Sequence, residues 1–425
     1  MNPVGIVLDP LYGDLRVGSP LDSLVSSPIV QRLRNIRLSN IDSLNMPGIA
    51  GITRYEHALG TMHLAGQTPI ARRLDESGRL VLLAAALLHD SAIPPFGHLV
   101  EEAFTLSGHA YHHEEKWGQL KGGVDEHLGG AYALQLLVGR HPGLREWCAR
   151  VFGESSASAA IDRILDTIHG RGEFAGVVNS DQVDLDNLDN VSRMAFHMGL
   201  RAGGGLPEAV ARGMEPGPNG GVVYANEAID SVRQWTELRT EVYSRLMPAP
   251  ADFVGKVMLL YAVSRAMRSG EVSAEDWLIT DFQLIQRLLR SRDSFVADTT
   301  KRWLCAELWE MLGMWWFTSN PPNLSALPEV NETVSSWGGP AFCYRIKDKR
   351  HRLVTATNQA GESVSMGRKS ASWLLGVVTS APHRWPAASR RNLLERLSDV
   401  FHADPLPQGS ECNAAPSPLL AFRRT

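Results

Sequence analysis

The chain has 425 residues, 44% of them hydrophobic and 21% charged, with a formal net charge of −4. These proportions are those of a globular protein with room for one large domain and an appendage, or two domains. The slight acidity excludes a dedicated non-specific nucleic-acid binder, though not a local basic groove, and the longest apolar run, Leu80–Leu88, is too short to span a bilayer.

The first fifty residues alternate short apolar stretches with turn words: Asp9-Pro10, Gly18-Ser19-Pro20 and Met46-Pro47-Gly48. Between them, Ile29–Leu38 has helical spacing with Arg32, Arg34 and Arg37 interleaved. Helical patterns run from Tyr55 to about Leu74 and from Gly78 to Asp90, where Leu80, Leu83, Leu87 and Leu88 suit a buried helix that Pro94-Pro95 then ends. Further helices are expected over 127–140, 158–169, 181–199 and 224–247. The Gly/Pro-rich Gly203–Gly221 reads as a loop, and helices resume over 252–268, 276–291 and 296–314. Residues 319–340 are crowded with breakers, Ala341–Ala356 alternates and is basic as a strand or hairpin would be, and the tail after about 404 is expected to fray. The class is therefore mainly α, with a small mixed α/β C-terminal region. The expected division is 1–325, with a motif core at 50–200, and 326–425.

Cys148, Cys305, Cys343 and Cys412 fall in no metal-ligand spacing and read as reduced thiols of a cytoplasmic protein. The N-terminus has no basic region followed by an apolar one, so no signal peptide is expected.

Chemistry concentrates in His57, the adjacent pair His89-Asp90, and Asp186. Two imidazoles and two carboxylates suit a divalent, borderline-hard metal that generates nucleophilic water near neutral pH. Neighbours on a helix point about 100° apart, so His89 and Asp90 can share one metal only at a helix end, and Pro94-Pro95 supplies such an end. Three helices would then pin four ligands around six-coordinate Mn, Mg or Fe. Tetrahedral Zn fits less well, because the set holds no sulfur. Asp184, Asp186 and Asp189 also have a blander reading as a solvated helix face.

The words around these residues resemble the HD-domain phosphohydrolases, and within them the dNTP triphosphohydrolase branch. Asp9-Pro10-Leu11-Tyr12-Gly13 is similar to the branch's D-P-x-H-G, with Tyr12 for its histidine. Ser27-Pro28-Ile29-Val30-Gln31-Arg32-Leu33-Arg34 is similar to T-P-x-F-Q-R-L-R. Pro47-Gly48 before Arg54-Tyr55-Glu56-His57-Ala58-Leu59-Gly60 resembles P-G-A…R-F-E-H-S-L-G, and Ile279-Thr280-Asp281 is a weaker echo. The resemblance is dense over 7–102, returns at 180–200, and implies an HD-domain helical bundle. It implies His57, His89, Asp90 and Asp186 as metal ligands and Arg54 as the phosphate-holding arginine. It puts His98 at the scissile phosphorus, with Glu101 one turn on to orient it. Tyr111-His112-His113-Glu114 resembles W-x-H-E, which makes His113 a second catalytic imidazole and Glu114 its partner; a polar loop is the other reading.

The departures fall on substrate contacts. Ile93 stands for the histidine of H-D-x-G-H, Asn187 for a phosphate-binding lysine and Asn190 for a sugar-contacting tyrosine. Met194, Leu38 and Ser26 replace further nucleotide-reading residues. Arg345, Lys347, Lys349, Arg350 and Arg352 form a dense basic cluster, read either as a solvated hairpin or as a phosphate or nucleic-acid contact to a neighbouring subunit. The resemblance implies hydrolysis of a dNTP to deoxynucleoside and triphosphate, a homo-oligomer and an allosteric nucleotide. The departures keep two alternatives open: an HD hydrolase of another phosphoester (a nucleoside monophosphate, a modified nucleotide or a nucleic-acid end), and a nucleotide sensor with little turnover.

Overall fold

The computed structural model describes residues 5–39, 44–109, 111, 113, 116, 144–180, 182–200, 205–217, 222–318, 326–358, 360–369, 372–401 and 405. The fold is mainly α, with a few small sheets. Six helices position the site: α1 (Arg54–Gln67), α2 (Glu76–Leu88), α3 (His98–Leu106), α4 (Leu185–His197), α5 (Ile229–Leu246) and α6 (Pro250–Arg268). Among the described residues no single helix is long and apolar enough to cross a membrane. Cys148, Cys305 and Cys343 are free thiols, and Cys412 lies outside the described residues.

Local chemistry starts these helices where they are needed. Thr53 caps α1 through a reciprocal box, its backbone N–H donating to Glu56 Oε2 at 2.8 Å. Asp75 caps α2, accepting from Gly78 N at 2.7 Å. Every residue from Leu80 to Leu88 is buried, so α2 is a core helix whose last turn delivers His89. The chain then reverses through Phe96 (φ 56°) and Gly97 (φ 57°) before α3 begins. Phe96 is held in this left-handed conformation by a bond from its N–H to Asp281 Oδ1 at 2.7 Å. Arg32 clamps the same loop, donating to the carbonyls of Ser91 (3.1 Å), Ile93 (2.5 Å), Trp277 (3.3 Å) and Ile279 (3.1 Å).

Three strands form an antiparallel sheet in the order β1 (Glu310–Phe317), β3 (Trp373–Thr379), β2 (Phe342–Lys347). The expected division after residue 325 thus falls between two strands of one sheet. The sheet packs on α6: Tyr261 donates to the Cys343 carbonyl at 2.8 Å, and the Phe253 and Tyr344 rings lie 5.6 Å apart. A separate hairpin pairs Leu353–Thr357 with Ser363–Gly367.

Several sequence expectations give way to pairing. The helix expected over Ile29–Leu38 stops at Asn35, because the next residues pair with the approach to α1: Leu38 N donates to Ile52 O at 3.0 Å and Arg54 N to Ile36 O at 2.9 Å. The helix expected over 296–314 ends at Leu304, and the aromatic run ending in Trp315-Trp316-Phe317 joins the sheet as β1. The expected loop Gly203–Gly221 contains the helix Leu206–Arg212, opened by Pro207, and the strand Met214–Pro216. Ala341–Ala356 is not one hairpin: β2 pairs with β3, and the strand from Leu353 pairs with the one from Ser363. The helix expected over 127–140 lies outside the described residues, as does the tail after 404 apart from Pro405.

Gly376 on β3 faces the Phe253 ring so closely that a Cβ would collide with it. Gly376→Val should therefore lower stability by about 1–3 kcal/mol, measured as a shift in the urea midpoint without a change in slope.

Candidate metal centre

α1, α2 and α4 bring His57, His89, Asp90 and Asp186 together. The two Nε2 atoms lie 3.1 Å apart, and Asp186 Oδ1 lies 3.0 Å from His57 Nε2 and 3.7 Å from His89 Nε2. Asp90 Oδ2 lies 3.7 Å from each Nε2. The neighbours His89 and Asp90 both reach this point because His89 is the C-terminal cap of α2 and Asp90 opens the turn beyond it. Both imidazoles are fixed from behind. His57 Nδ1 donates to Asp189 Oδ1 at 2.7 Å and His89 Nδ1 to the Ala86 carbonyl at 2.8 Å, so each neutral ring turns an Nε2 lone pair inward.

Two inward lone pairs and two carboxylates demand positive charge at their centre. Burial pushes the His57 imidazole down, but bonds to Asp186 and Asp189 reverse this and raise its pKa to about 10. Burial likewise opposes ionisation of Asp90 and Asp186, and is overridden. Arg54 and the two imidazoles hold Asp90 low, and the imidazoles hold Asp186 well below the usual carboxylate range. Nitrogen and oxygen donors without sulfur fit a divalent ion of the Mn, Mg or Fe kind. Arg54 donates through Nη1 to Asp90 Oδ2, and both side chains are nearly inaccessible.

The sequence reading missed the support behind His57. Asp189 and Asp184 are fully buried, which overturns the solvated-face reading for those two. Asp189 receives Arg193 Nε at 3.0 Å, Arg193 Nη2 at 2.9 Å and the Tyr12 hydroxyl at 2.8 Å, besides His57. Arg193 also donates Nη1 to Asp9 Oδ2 at 2.9 Å. The available signal was the i, i+4 spacing of Asp189 and Arg193 on the apolar face of α4. Gly60 on α1 belongs to this unit, since a Cβ there would strike Asp189 and the Arg193 guanidinium. Asp184 caps α4, and burial together with the nearby Asp186 charge raises its pKa to about 7.

A second cluster stands at the start of α3. Glu101 Oε2 accepts from His98 Nδ1 at 2.5 Å and Oε1 from His113 Nδ1 at 2.7 Å; the His113 backbone N–H adds a bond at 3.0 Å. Burial opposes ionisation of Glu101, but His113 and then His98 override it and hold the carboxylate low. Glu114 lies outside the described residues. His89, Asp90 and Asp186, the second cluster and Arg54 line one cavity of about 710 Å³, with His57 buried behind it. Asn187, Asn190, Met194 and Leu38 line it too, but the Asn187 amide is turned onto Asp184, at 3.0 and 3.1 Å.

The sequence reading also missed Arg239 and Tyr243 of α5 and Lys256 of α6, which line the same cavity. The basic cluster divides. Arg345, Lys347 and Lys349 line this chain's own cavity, whereas Arg350 grips Asp348 and Arg352 donates to the Ser180 carbonyl at 2.9 Å.

No family model matches the chain. It is 24% identical to an uncharacterized protein of Methanocaldococcus jannaschii over 70% of this chain and 57% of that one. It is 23% identical to an uncharacterized protein of Bacillus subtilis over 83% of this chain and 81% of that one. It is 25% identical to deoxynucleoside triphosphate triphosphohydrolase SAMHD1 of Homo sapiens over 47% of this chain and 34% of that one. The chain therefore spans little more than half of the archaeal relative and about a third of the human one. This is distant, partial homology to the SAMHD1 triphosphohydrolases, which are HD-domain proteins.

Asp189→Asn keeps the shape behind His57 and removes the charge; it should weaken Mn affinity about 10–100-fold, read by calorimetric titration. Chelation should lower the melting temperature of the wild type, and metal at about 100 times its Kd should restore about 2.7 kcal/mol.

Proposed function

We propose that this chain is a metal-dependent nucleotide phosphohydrolase that converts a dNTP to deoxynucleoside and triphosphate. The carrying observation is the convergence of His57, His89, Asp90 and Asp186 on one point, the last three opening onto a cavity that also holds the His98–Glu101–His113 cluster. Distant similarity to proteins named for this activity agrees with it.

The four ligand side chains would hold the divalent ion, which when bound supplies Lewis acidity and a nucleophilic water at neutral pH. Arg54, beside them, offers a guanidinium to the oxygens of the phosphate under attack. Water adds to the α-phosphorus and the bond from phosphorus to the 5′ oxygen breaks. The departing oxygen needs a proton, and His98 Nε2 can supply it while Nδ1 stays on Glu101. The Glu101 carboxylate accepts from Nδ1 of both imidazoles, which leaves Nε2 of each for proton transfer. Tyr243, Trp373, Leu38 and Met194 give the same cavity an apolar part for sugar and base. The resemblance further motivates an allosteric nucleotide, a homo-oligomer and a cytoplasmic location, which belong to this proposal.

A second reading, hydrolysis of another phosphoester, is favoured by the Asn187 amide being engaged with Asp184 rather than free for a phosphate chain. Purified protein with Mn or Mg, offered dNTPs, NTPs and NMPs, separates the two. Nucleoside plus triphosphate is the expected product, and phosphate released from monophosphates alone would overturn the first reading in favour of the second. Asp90→Ala should bring both metal content and turnover to background; wild-type values of either would sink the ligand assignment.

A further inference from the structure

The cavity's charges sort into paired and unpaired groups. Of its lining residues six are Arg or Lys and four are Asp or Glu. Arg54 gives one nitrogen, Nη1, to Asp90, which leaves the rest of its guanidinium for the phosphate under attack, and Lys256 is paired with Glu102 at 3.2 Å. Lys347 and Lys349, both exposed to the cavity, have no carboxylate partner among the described residues. Arg239 is 7% exposed, stacks 4.7 Å over the Tyr243 ring, and keeps a buried Nε with no hydrogen-bond partner.

The backbone that carries Lys349 is firmly held. Its carbonyl accepts from Arg239 Nη1, and the Arg350 carbonyl accepts from Thr240 Oγ1 at 3.0 Å, so α5 grips this turn twice. Asp348 N donates to Ser372 O at 3.0 Å, and Arg350 clamps the Asp348 carboxylate through two bonds of 3.0 Å. Tyr344 donates to Glu102 Oε2 at 2.6 Å, tying β2 to α3. A rigid backbone therefore presents two unneutralised ammonium groups to a cavity whose far charges are already satisfied.

We propose that Lys347 and Lys349, with Arg239, form an oligophosphate subsite: a C-terminal segment that binds the phosphates beyond the one under attack. The inference deepens the proposed function and rests on that reading for the metal centre. A single phosphate is answered by the metal centre and Arg54 alone. Only a chain of phosphates has further anionic oxygens for the two lysines, with the charge of the Arg239 guanidinium beside them. The segment thereby selects polyphosphate substrates over monophosphates.

The probe is inorganic triphosphate, titrated calorimetrically into the metal-loaded full chain. Wild type should bind it, and Lys347→Ala/Lys349→Ala should bind it about tenfold or more weakly, with a shallower dependence on salt. Lys349→Arg should restore most of the loss. Lys301→Ala, on an exposed helix face outside the cavity, is the control and should bind as wild type does. An unchanged melting temperature in the double variant shows that folding is intact, and both lysines are exposed enough for this to hold. Equal affinity in wild type and double variant, or no binding by wild type, overturns the inference. Loss of triphosphate binding in the double variant supports it even where no dNTP is turned over, whereas dNTP turnover with unaltered triphosphate affinity leaves the function standing and removes the subsite. A double variant that loses single-stranded DNA binding but keeps triphosphate affinity assigns the patch to nucleic acid and likewise overturns it.

Discussion

The Asp189 carboxylate is the constraint on which the centre depends. It sits in a fully buried position and accepts from His57, Tyr12 and two nitrogens of Arg193. A charge in such a place is costly unless every lone pair is answered, and breaking one partner leaves the others uncompensated. The same bonds fix the tautomer of His57, so the group that secures α4 to α1 also aims a ligand lone pair. Asp9 completes the unit by taking the third guanidinium nitrogen, which joins the N-terminal turn to the candidate metal centre. Gly60 is part of the same arrangement, because α1 and α4 approach too closely there for any side chain.

A second constraint sets the distance between the two chemical clusters. The chain passes from His89-Asp90 to His98 through a loop that has little regular structure of its own. Arg32 supplies donors to two of its carbonyls, and Asp281 accepts from Phe96 and from the Arg37 backbone. Both anchors are buried, and both join distant parts of the chain, since Arg32 also holds the Trp277 and Ile279 carbonyls. The motif words around Gln31-Arg32 and Thr280-Asp281 are thus scaffolding for the loop, and the chemistry is performed by the residues at its two ends.

The cavity combines these fixed parts with a C-terminal wall. Its Asp90 and Glu101 are held ionised by cations and imidazoles, and its apolar part comes from α4, α5 and the sheet. Asn187 points its amide at Asp184, so α4 brings no cation of its own to the cavity. The positive charge comes instead from Arg54 of α1, from α5 and α6, and from β2 with the turn after it. This distribution ties substrate choice to the part of the chain least like any family word.

Much of the centre was legible in the sequence. The order His57, His89-Asp90, Asp186 and the Pro94-Pro95 break give ligand types and the need for a helix end, because both follow from donor chemistry and helix geometry along the chain. The mainly α class and the core helix ending at Leu88 follow from apolar periodicity. What the sequence left open depends on pairing between remote segments. Asp189 looked like a surface acid until Asp9, Tyr12 and Arg193 were seen to enclose it, and the stretch from Glu310 to Met314 looked helical until β3 offered hydrogen bonds. The basic cluster around Lys349 was read as a solvated hairpin or a contact to a neighbour. Periodicity reports which residues want burial, but it is silent on their partners. Only the tertiary structure decided that Arg350 and Arg352 are spent on protein groups while Lys347 and Lys349 face the cavity of the candidate metal centre.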